Sequence, residues 1–326
     1  MAPPIQKTTG SSQFASIMKT VLRTSTALAA FGMLLATPQS HAITAYSISS
    51  NTESLLRFDT ATPGIFTTVA NFSGAVSGLQ GIDFRPANGL LYGYSNGSNT
   101  LVLVDPNTAV TTLLPAPATG SNTFNLGIDF NPAADRLRLV NVNDQNLRIN
   151  VDTGATTVDG VLTYVAGDAN FGINPQINEA AYLNNDNNPL TATQLFYIDI
   201  GTDALVSTLN PNAGALNTVG SLGVNTDLLT GFDIYTDPAT GVNSAFAIMR
   251  VGGVSSFYSV NLTTGAATSL GATGINSPFG LAVQPAPVVP EPSTALVGAA
   301  LLGLIGCLRN RPARRTACYT PRHHKL

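Results

Sequence analysis

The chain repeats one short segment, Gly81-Ile82-Asp83-Phe84-Arg85-Pro86, which returns as Gly127-Ile128-Asp129-Phe130-Asn131-Pro132 and, shortened, as Gly231-Phe232-Asp233-Ile234. Degenerate copies stand at 179–182 (Glu-Ala-Ala-Tyr) and at 280–285 (Gly-Leu-Ala-Val-Gln-Pro). The first residues of successive copies are 46, 52, 52 and 49 positions apart. Such regular spacing indicates one supersecondary unit used repeatedly.

Each of the first four copies is followed by further β-rich runs and by turn residues. The second run of each unit covers 90–95, 136–141, 195–200 and 245–250. Third runs end in turns rich in Asp, Asn, Thr and Gly, such as 150–154 and 261–265, and Thr-rich segments such as 110–114 supply a fourth run. Four short antiparallel strands in about 50 residues are typical of a β-propeller blade.

The two ends of the repeat region complete one another. The run at 43–49 has no copy of the repeated segment before it, and the copy at 280–283 has no blade after it. Pairing these two strands closes the ring and removes its open edge. The sequence therefore predicts an all-β propeller of about five four-stranded blades over 43–285; a β-sandwich and a six-bladed ring are the alternatives.

Charge is scarce and one-sided in this region. Residues 43–285 contain six Arg and 17 acidic residues, a net charge of −11, with no Lys, His, Cys or Trp. Ser-His-Asp and Cys-His catalysis, Schiff-base lysines and zinc sites made from His or Cys are therefore excluded. The acidic surface also argues against nucleic acid as a partner.

The N-terminal 42 residues read as an export signal. Lys19 and Arg23 precede an apolar run at 27–36, and Ser40-His41-Ala42 has the small-x-small form of a cleavage site. Met18 opens a signal of ordinary length, so we expect translation to start there.

Residues 286–326 have the order of a membrane tag. Pro290-Glu291-Pro292 precedes an apolar run at 294–308, and a basic cluster follows, made of Arg309, Arg311, Arg314 and Arg315. The run is slightly short for a membrane span, which snorkelling arginines can offset. The positive-inside rule places the cluster in the cytoplasm and the preceding domain outside.

This tag resembles the PEP-CTERM sorting signal of Gram-negative bacteria. The resemblance implies transient anchoring in the inner membrane, recognition by an exosortase-type membrane protease, and release to the cell surface or extracellular matrix. The tail at 316–326 departs from the usual pattern, and a plain single-span anchor is the alternative. The repeated Gly-Ile-Asp-Phe-x-Pro segments, Leu91-Tyr92-Gly93 and this tag are also similar to the exported family called domain of unknown function 4394, over 43–283. That family brings no established activity.

The third position of the repeated strand is the first candidate for chemistry. It reads Asp83, Asp129, Ala181, Asp233 and Ala282. Because residues alternate faces along a strand, these positions are equivalent, and three carboxylates can converge near the propeller axis. They suit Ca²⁺ or another hard cation as a metal site. Alternatively, each Asp accepts backbone N–H groups from the adjacent blade and locks the blades together.

Two other groups have competing interpretations. The Asn/Asp-rich loops 141–146 and 184–188 offer oxygens for a weak calcium site, but the same residues favour turns. Arg136, Arg138 and Arg148 form the one basic cluster, which can bind a carboxylate or a uronic acid. Pairing with Asp135, Asp144 or Asp152 explains the cluster equally well.

The leading interpretation is a non-enzymatic exported propeller, a structural or binding component that engages polysaccharide or calcium. The alternative is a carbohydrate-active hydrolase with paired carboxylates, for which Glu179 with Asp129 or Asp233 are the candidates. In such a hydrolase, without Trp, the sugar-stacking surface is expected to fall to Tyr.

Overall fold

The computed structural model describes residues 43–286, apart from 52, 187, 189 and 276. The first eleven strands are β1 (Thr44–Ser49), β2 (Ser54–Asp59), β3 (Thr67–Asn71), β4 (Ser73–Gly74), β5 (Gly81–Arg85), β6 (Leu90–Ser95), β7 (Thr100–Val104), β8 (Val110–Leu113), β9 (Leu126–Asn131), β10 (Arg136–Asn141) and β11 (Asn146–Ile149). The others are β12 (Thr156–Val158), β13 (Thr163–Tyr164), β14 (Ile177–Tyr182), β15 (Leu195–Asp199), β16 (Ala204–Thr208), β17 (Ala215–Ser221), β18 (Thr230–Thr236), β19 (Asn243–Val251), β20 (Val254–Val260), β21 (Ala267–Ala272) and β22 (Pro278–Val283), with a 3-10 turn at Pro211–Ala213.

These strands form five sheets, so the protein is a five-bladed β-propeller. From the inner strand outward, the sheets are blade 1 (β22-β1-β2-β3), blade 2 (β5-β6-β7-β8-β4), blade 3 (β9-β10-β11-β12), blade 4 (β14-β15-β16-β17-β13) and blade 5 (β18-β19-β20-β21). The inner strands, which carry the repeated segment, pack against one another around the ring. The sandwich and six-bladed alternatives are thereby excluded.

Blade 1 closes the ring with strands from both ends of the domain, as predicted. β1 pairs antiparallel with β22, from Ala45 opposite Val283 to Ser49 opposite Pro278. The Ser47 hydroxyl also donates to the carbonyl of Phe279 at 3.0 Å. Since all five sheets lie within 43–286, this segment contains every strand that the ring requires.

Alternation along the inner strands sets the packing between blades. Ile82 and Phe84 lie in a buried cluster with Tyr46 and Leu55 of blade 1, whereas Asp83 between them faces blade 3. The same pattern repeats in blade 5, where Phe232 and Ile234 pack towards blade 4. Five apolar clusters between neighbouring blades result, and the third position of every inner strand is turned towards the next blade.

Two short parallel strands were not predicted from the sequence. β4 lies in the crossover from blade 1 to blade 2 and pairs with the outer strand β8, and β13 pairs in the same way with β17 of blade 4. The Thr111 side chain fixes the first crossover, because its hydroxyl donates to the Ser73 carbonyl at 2.7 Å and accepts from the Val76 N–H at 2.9 Å. Two-residue strands carry too little periodicity to be read from sequence.

A crossover is the segment that connects the outer strand of one blade to the inner strand of the next. All crossovers lie at one end of the ring, which we call the crossover face. Because neighbouring strands are antiparallel, the turns between the second and third strands of each blade lie at this same end.

The predicted signal peptide (1–42) lies outside the described residues, as does the predicted tag (286–326) except for its first residue. The tag residues outside the described range include Pro290, Glu291, Pro292, Arg309, Arg311, Arg314 and Arg315. No helix within the described range is long and apolar enough to cross a membrane.

Candidate functional site

The three aspartates of the repeated segment meet at the centre of the ring. One carboxylate oxygen each from Asp83, Asp129 and Asp233 lies within 4.8 Å of the other two. All three residues are buried, with 1–2% of their surface exposed. Three oxygens at this spacing fit around an ion with the 2.3–2.6 Å ligand distances of calcium. The repeat therefore brings together the residues that it predicted, by placing each at an equivalent point on an inner strand.

Each of these carboxylates also holds the next blade. The acceptor is always the third position of one inner strand, and the donor is the backbone N–H one residue beyond the third position of the following inner strand. The bonds join Asp83 to Phe130 (2.8 Å), Asp129 to Tyr182 (3.1 Å) and Asp233 to Val283 (2.5 Å). The blade-locking interpretation therefore describes what these side chains do within the protein.

Two blades lack the aspartate, and the neighbouring aspartates compensate. The methyl side chains of Ala181 in blade 4 and Ala282 in blade 1 cannot accept a hydrogen bond from the next blade. The next blades, 5 and 2, supply the acceptors themselves: Asp233 accepts from the N–H of its neighbour Ile234 at 2.6 Å, and Asp83 accepts from the N–H of Phe84 at 2.7 Å. Three carboxylates thus accept from all five of the equivalent N–H groups around the ring, none of which is left buried without a partner.

Burial dominates the electrostatics of the cluster. It raises the pKa of Asp83 and of Asp129 well above the ordinary range, and repulsion from neighbouring carboxylates adds to the effect. Burial raises the pKa of Asp233 to about 7, although hydrogen bonds from Val283 and Ile234 oppose the shift. The centre of the ring therefore favours protons or a cation over three uncompensated negative charges.

Glu179 lies beside the cluster on blade 4, two residues before Ala181 and on the same strand face, close enough to Asp233 for their charges to repel. It is 6% exposed, and burial raises its pKa, while hydrogen bonds from the Phe232 N–H and the Thr230 hydroxyl oppose the shift. The Thr230 hydroxyl also accepts from the Asn178 amide at 2.6 Å. Glu179 therefore holds blade 5 through a longer side chain where Ala181 cannot.

The carboxylates proposed for hydrolysis are almost inaccessible from the surface. Glu179, Asp129 and Asp233 are between 1 and 6% exposed, so a glycan cannot reach a pair of them in this conformation. Neither of the two cavities described in the protein is lined by any of the three. These carboxylates are placed to accept hydrogen bonds from backbone N–H groups rather than to contact a substrate.

The arginine cluster separates into two environments. Arg138 is 1% exposed and donates to Asp159 at 2.6 Å, Asn146 at 2.7 Å and Asn212 at 2.9 Å. Arg148, on the next strand, donates to the same Asp159 carboxylate at 2.9 and 3.0 Å. These two arginines are therefore occupied in holding β10 and β11 to the loop after β12.

Arg136 and the expected acidic partners lie elsewhere. Arg136 donates to the backbone carbonyls of Ala134 and Asp135. Asp135 and Asp152 instead both pair with Arg85, at 2.6 and 2.8 Å. The expected pairing partners are thus corrected: Asp159, rather than Asp135, Asp144 or Asp152, neutralises Arg138 and Arg148, because the loop after β12 folds back over them.

The Asn/Asp-rich loops form turns. In 141–146, the Asn141 side-chain oxygen accepts from the Asn143 and Gln145 N–H groups, and its amide donates to Gln145 at 2.7 Å. In 184–188, of which 187 is not described, Asp186 accepts from the Asn188 N–H. Both arrangements satisfy the backbone of the loop itself.

An open cavity of about 520 Å³ lies on the crossover face between blades 1 and 2. The β1–β2 turn contributes Glu53, the crossover at 73–80 contributes small and polar residues, and the β6–β7 turn contributes Ser98. Phe124, from the next crossover, completes its wall. Sequence reasoning missed this cavity because its lining comes from four loops outside the repeated segment.

The exposed aromatic side chains are also not those expected. Of the eight tyrosines in the described part, seven are buried and Tyr235 is half-buried. Phe124 and Phe171, in successive crossovers, are 63 and 62% exposed. The exposed aromatic rings among the described residues are therefore phenylalanines. A signal was present in the sequence, since Phe124 follows a run of turn residues, Gly120-Ser121-Asn122-Thr123, where a buried strand residue is not expected.

Comparison with known proteins identifies a family but no activity. The family described as "Domain of unknown function (DUF4394)" matches residues 54–282. No curated protein matches the chain. Among solved structures, the nidogen/laminin complex is similar at 9% identity, over 73% of this chain and 83% of that chain, with a TM-score of 0.44. A Bacteroides thetaiotaomicron protein of unknown function is similar at 14% identity, over 76 and 66%, with a TM-score of 0.44. A Lactobacillus plantarum protein is similar at 16% identity, over 73 and 70%, with a TM-score of 0.39.

Proposed function

This chain belongs to the DUF4394 family, and from that premise we propose that it is an exported, non-enzymatic propeller that binds polysaccharide at the cell surface or in the extracellular matrix. One observation carries the proposal. The axial carboxylates are buried in contacts that close the ring, whereas the crossover face carries an open cavity and two exposed aromatic rings. An open cavity beside exposed aromatic rings suits binding, whereas carboxylates buried in contacts between blades do not suit chemistry on a substrate.

The charge distribution supports a glycan over a nucleic acid. Four of the six arginines in the described range, Arg85, Arg138, Arg148 and Arg250, are paired with carboxylates. The remaining surface is acidic and would repel a phosphate backbone. Hydroxyl-rich ligands without charge face no such penalty.

The terminal sequences support export and sorting. The N-terminal signal directs the chain out of the cytoplasm, and Pro290-Glu291-Pro292 with the following apolar run and arginines is the proposed substrate of an exosortase-type protease. In a host that encodes such a protease, the full chain is expected in the matrix fraction, and Glu291→Ala in the membrane fraction. Pro312→Ala, outside the motif, serves as the control, and matrix release of Glu291→Ala would contradict the proposal.

Polysaccharide binding is tested with the purified segment 43–285, which contains all five sheets. A polysaccharide array is incubated with the segment in calcium and again in a chelator. We expect binding to one class of glycan, and binding by Glu179→Gln that equals the wild type. Failure to bind any glycan under either condition would overturn the proposal, as would release of shortened sugars by the wild type but not by Glu179→Gln.

Calcium is the second candidate ligand, and the spacing of the axial oxygens favours it. Asp83, Asp129 and Asp233 would hold the ion through their carboxylate oxygens. In Asp83 and Asp233 both of these oxygens also accept backbone N–H groups. The bound ion would offset the repulsion among the three carboxylates. Calcium is expected to raise the unfolding temperature in the wild type but not in Asp129→Asn, and an equal response in both would contradict axial binding.

A further inference from the structure

The cavity on the crossover face is preformed. The Glu53 carbonyl accepts from the Phe72 N–H at 3.0 Å, where the chain leaves blade 1. Thr111 then fixes the crossover through Ser73 and Val76, and the side chain of Gln80 accepts from the Asn96 N–H at 2.5 Å. The crossover that lines the cavity is thus held to the β1–β2 turn of blade 1 and, in blade 2, to β8 and to the β6–β7 turn, so little ordering is needed when a ligand binds.

Its lining is polar but almost without charge. Hydroxyl groups come from Ser73, Ser77, Ser95 and Ser98. Glu53 is the one ionisable side chain among the described lining residues, which include no Arg. A carboxylate, phosphate or sulfate group would enter beside a negative charge with no cation to pair with it. A neutral ligand rich in hydroxyl groups can instead donate to Glu53 and exchange hydrogen bonds with the serines.

Phe124 adds an apolar surface at the rim. Its side chain is 63% exposed although it lies beside polar groups, an arrangement that leaves a ring face free. The apolar face of a sugar ring can cover that surface while its hydroxyl groups reach the serines. A volume of about 520 Å³ is in the range that holds a short ligand.

We propose that this cavity is the glycan site of the protein, and that it binds a short stretch of neutral polysaccharide, with one sugar ring stacked on Phe124 and hydroxyl groups donating to Glu53. This inference rests on the proposed function and narrows it, since it selects neutral over acidic glycans. It also replaces the arginine cluster as the candidate ligand-binding surface.

The chain supplies a matched control. Phe171 is exposed to the same extent as Phe124 and occupies the next crossover, but it does not line the cavity. The test measures binding of the 43–285 segment to four probes: cellohexaose, maltohexaose, laminarihexaose and oligogalacturonate. We expect at least one neutral probe to bind and oligogalacturonate not to bind. Phe124→Ala should weaken binding about tenfold and Phe171→Ala less than twofold.

Glu53→Gln removes the negative charge of the site and keeps the size of the side chain. It should weaken binding of the neutral probe by roughly threefold to tenfold without changing the unfolding temperature, because Glu53 is exposed. Equal effects of Phe124→Ala and Phe171→Ala, or preference for oligogalacturonate, would overturn this site while leaving polysaccharide binding intact. Failure of the wild type to bind any probe here or on the array would overturn both.

Discussion

The carboxylate of Asp83 in blade 2 accepts a hydrogen bond from the backbone N–H of Phe130 in blade 3 at 2.8 Å, 47 residues along the chain. The same carboxylate accepts from the Phe84 N–H at 2.7 Å. One side chain therefore satisfies two buried donors in two blades. Because a buried N–H without a partner costs free energy, these hydrogen bonds explain why the aspartate recurs in the repeat, and no bound ligand is required to explain it.

Removal of these aspartates should cost stability in proportion to the donors left unsatisfied. Asp83→Ala leaves two N–H groups without their acceptor and is expected to lower the free energy of unfolding by roughly 2–4 kcal/mol. Asp129→Ala affects the Tyr182 N–H and should cost about half as much. Denaturant unfolding of both variants checks the order, and a larger loss in Asp129→Ala would contradict it.

The pH dependence of stability should have an unusual sign. Buried Asp83, Asp129, Asp233 and Glu179 have pKa values above those of the unfolded chain, so the folded state binds more protons between pH 4 and about 7, the folded pKa of Asp233. Their contribution is complete below the unfolded pKa and is lost as the pH rises through the folded pKa. In a chelator, the free energy of unfolding should therefore increase as the pH is lowered from 8 to about 5.

Below that range the trend should reverse. Burial opposes the shift at Asp168 and Asp159, but hydrogen bonds outweigh it at Asp168, and hydrogen bonds and ion pairs with Arg148 and Arg138 outweigh it at Asp159. Both pKa values are therefore lowered, so both groups lose their stabilising contribution on protonation. Asp233→Asn should flatten the slope between pH 5 and 8, whereas Asp237→Asn, in a half-buried turn outside the axial cluster, should not. A wild-type curve that falls steadily from pH 8 to 5 would contradict the assignment.

The repeated segment predicted most of this architecture. Equivalent strand positions share one face, so the spacing of Asp83, Asp129 and Asp233 was enough to predict that they meet. The role of Glu179 was not predictable, because it depends on how far a longer side chain reaches past Ala181. The cavity could not be predicted for another reason. Glu53 and Phe124 lie in separate loops, and the conformation of a loop depends on contacts such as those of Thr111 rather than on a periodic pattern of residues.

Arg138 and Arg136 lie two residues apart on β10 but should respond very differently to truncation. Arg138→Ala removes four hydrogen bonds from a buried site, to Asp159, Asn146, Asn212 and Tyr182. It also leaves Asp159, 5% exposed at its side chain, with Arg148 alone. A loss of about 3 kcal/mol is expected. Arg136→Ala removes donors to exposed carbonyls and should change stability by less than about 0.5 kcal/mol. Similar unfolding midpoints for the two variants would contradict the buried network.

Gly127 tests how closely the inner strands pack. A Cβ atom at this position would lie 2.6 Å from the Glu179 Cα and 2.9 Å from the Asn178 carbonyl oxygen, both backbone atoms of the next blade. Neither atom can move without displacing β14, so Gly127→Ala should lower the free energy of unfolding by about 2–3 kcal/mol. Gly97→Ala is the control, because nothing lies within 4 Å of its Cβ position. It should change stability by less than about 1 kcal/mol in either direction. If Gly127→Ala were as stable as Gly97→Ala, blades 3 and 4 would have to lie further apart than these contacts allow, and the hydrogen bond from the Tyr182 N–H to Asp129 would be in doubt with them.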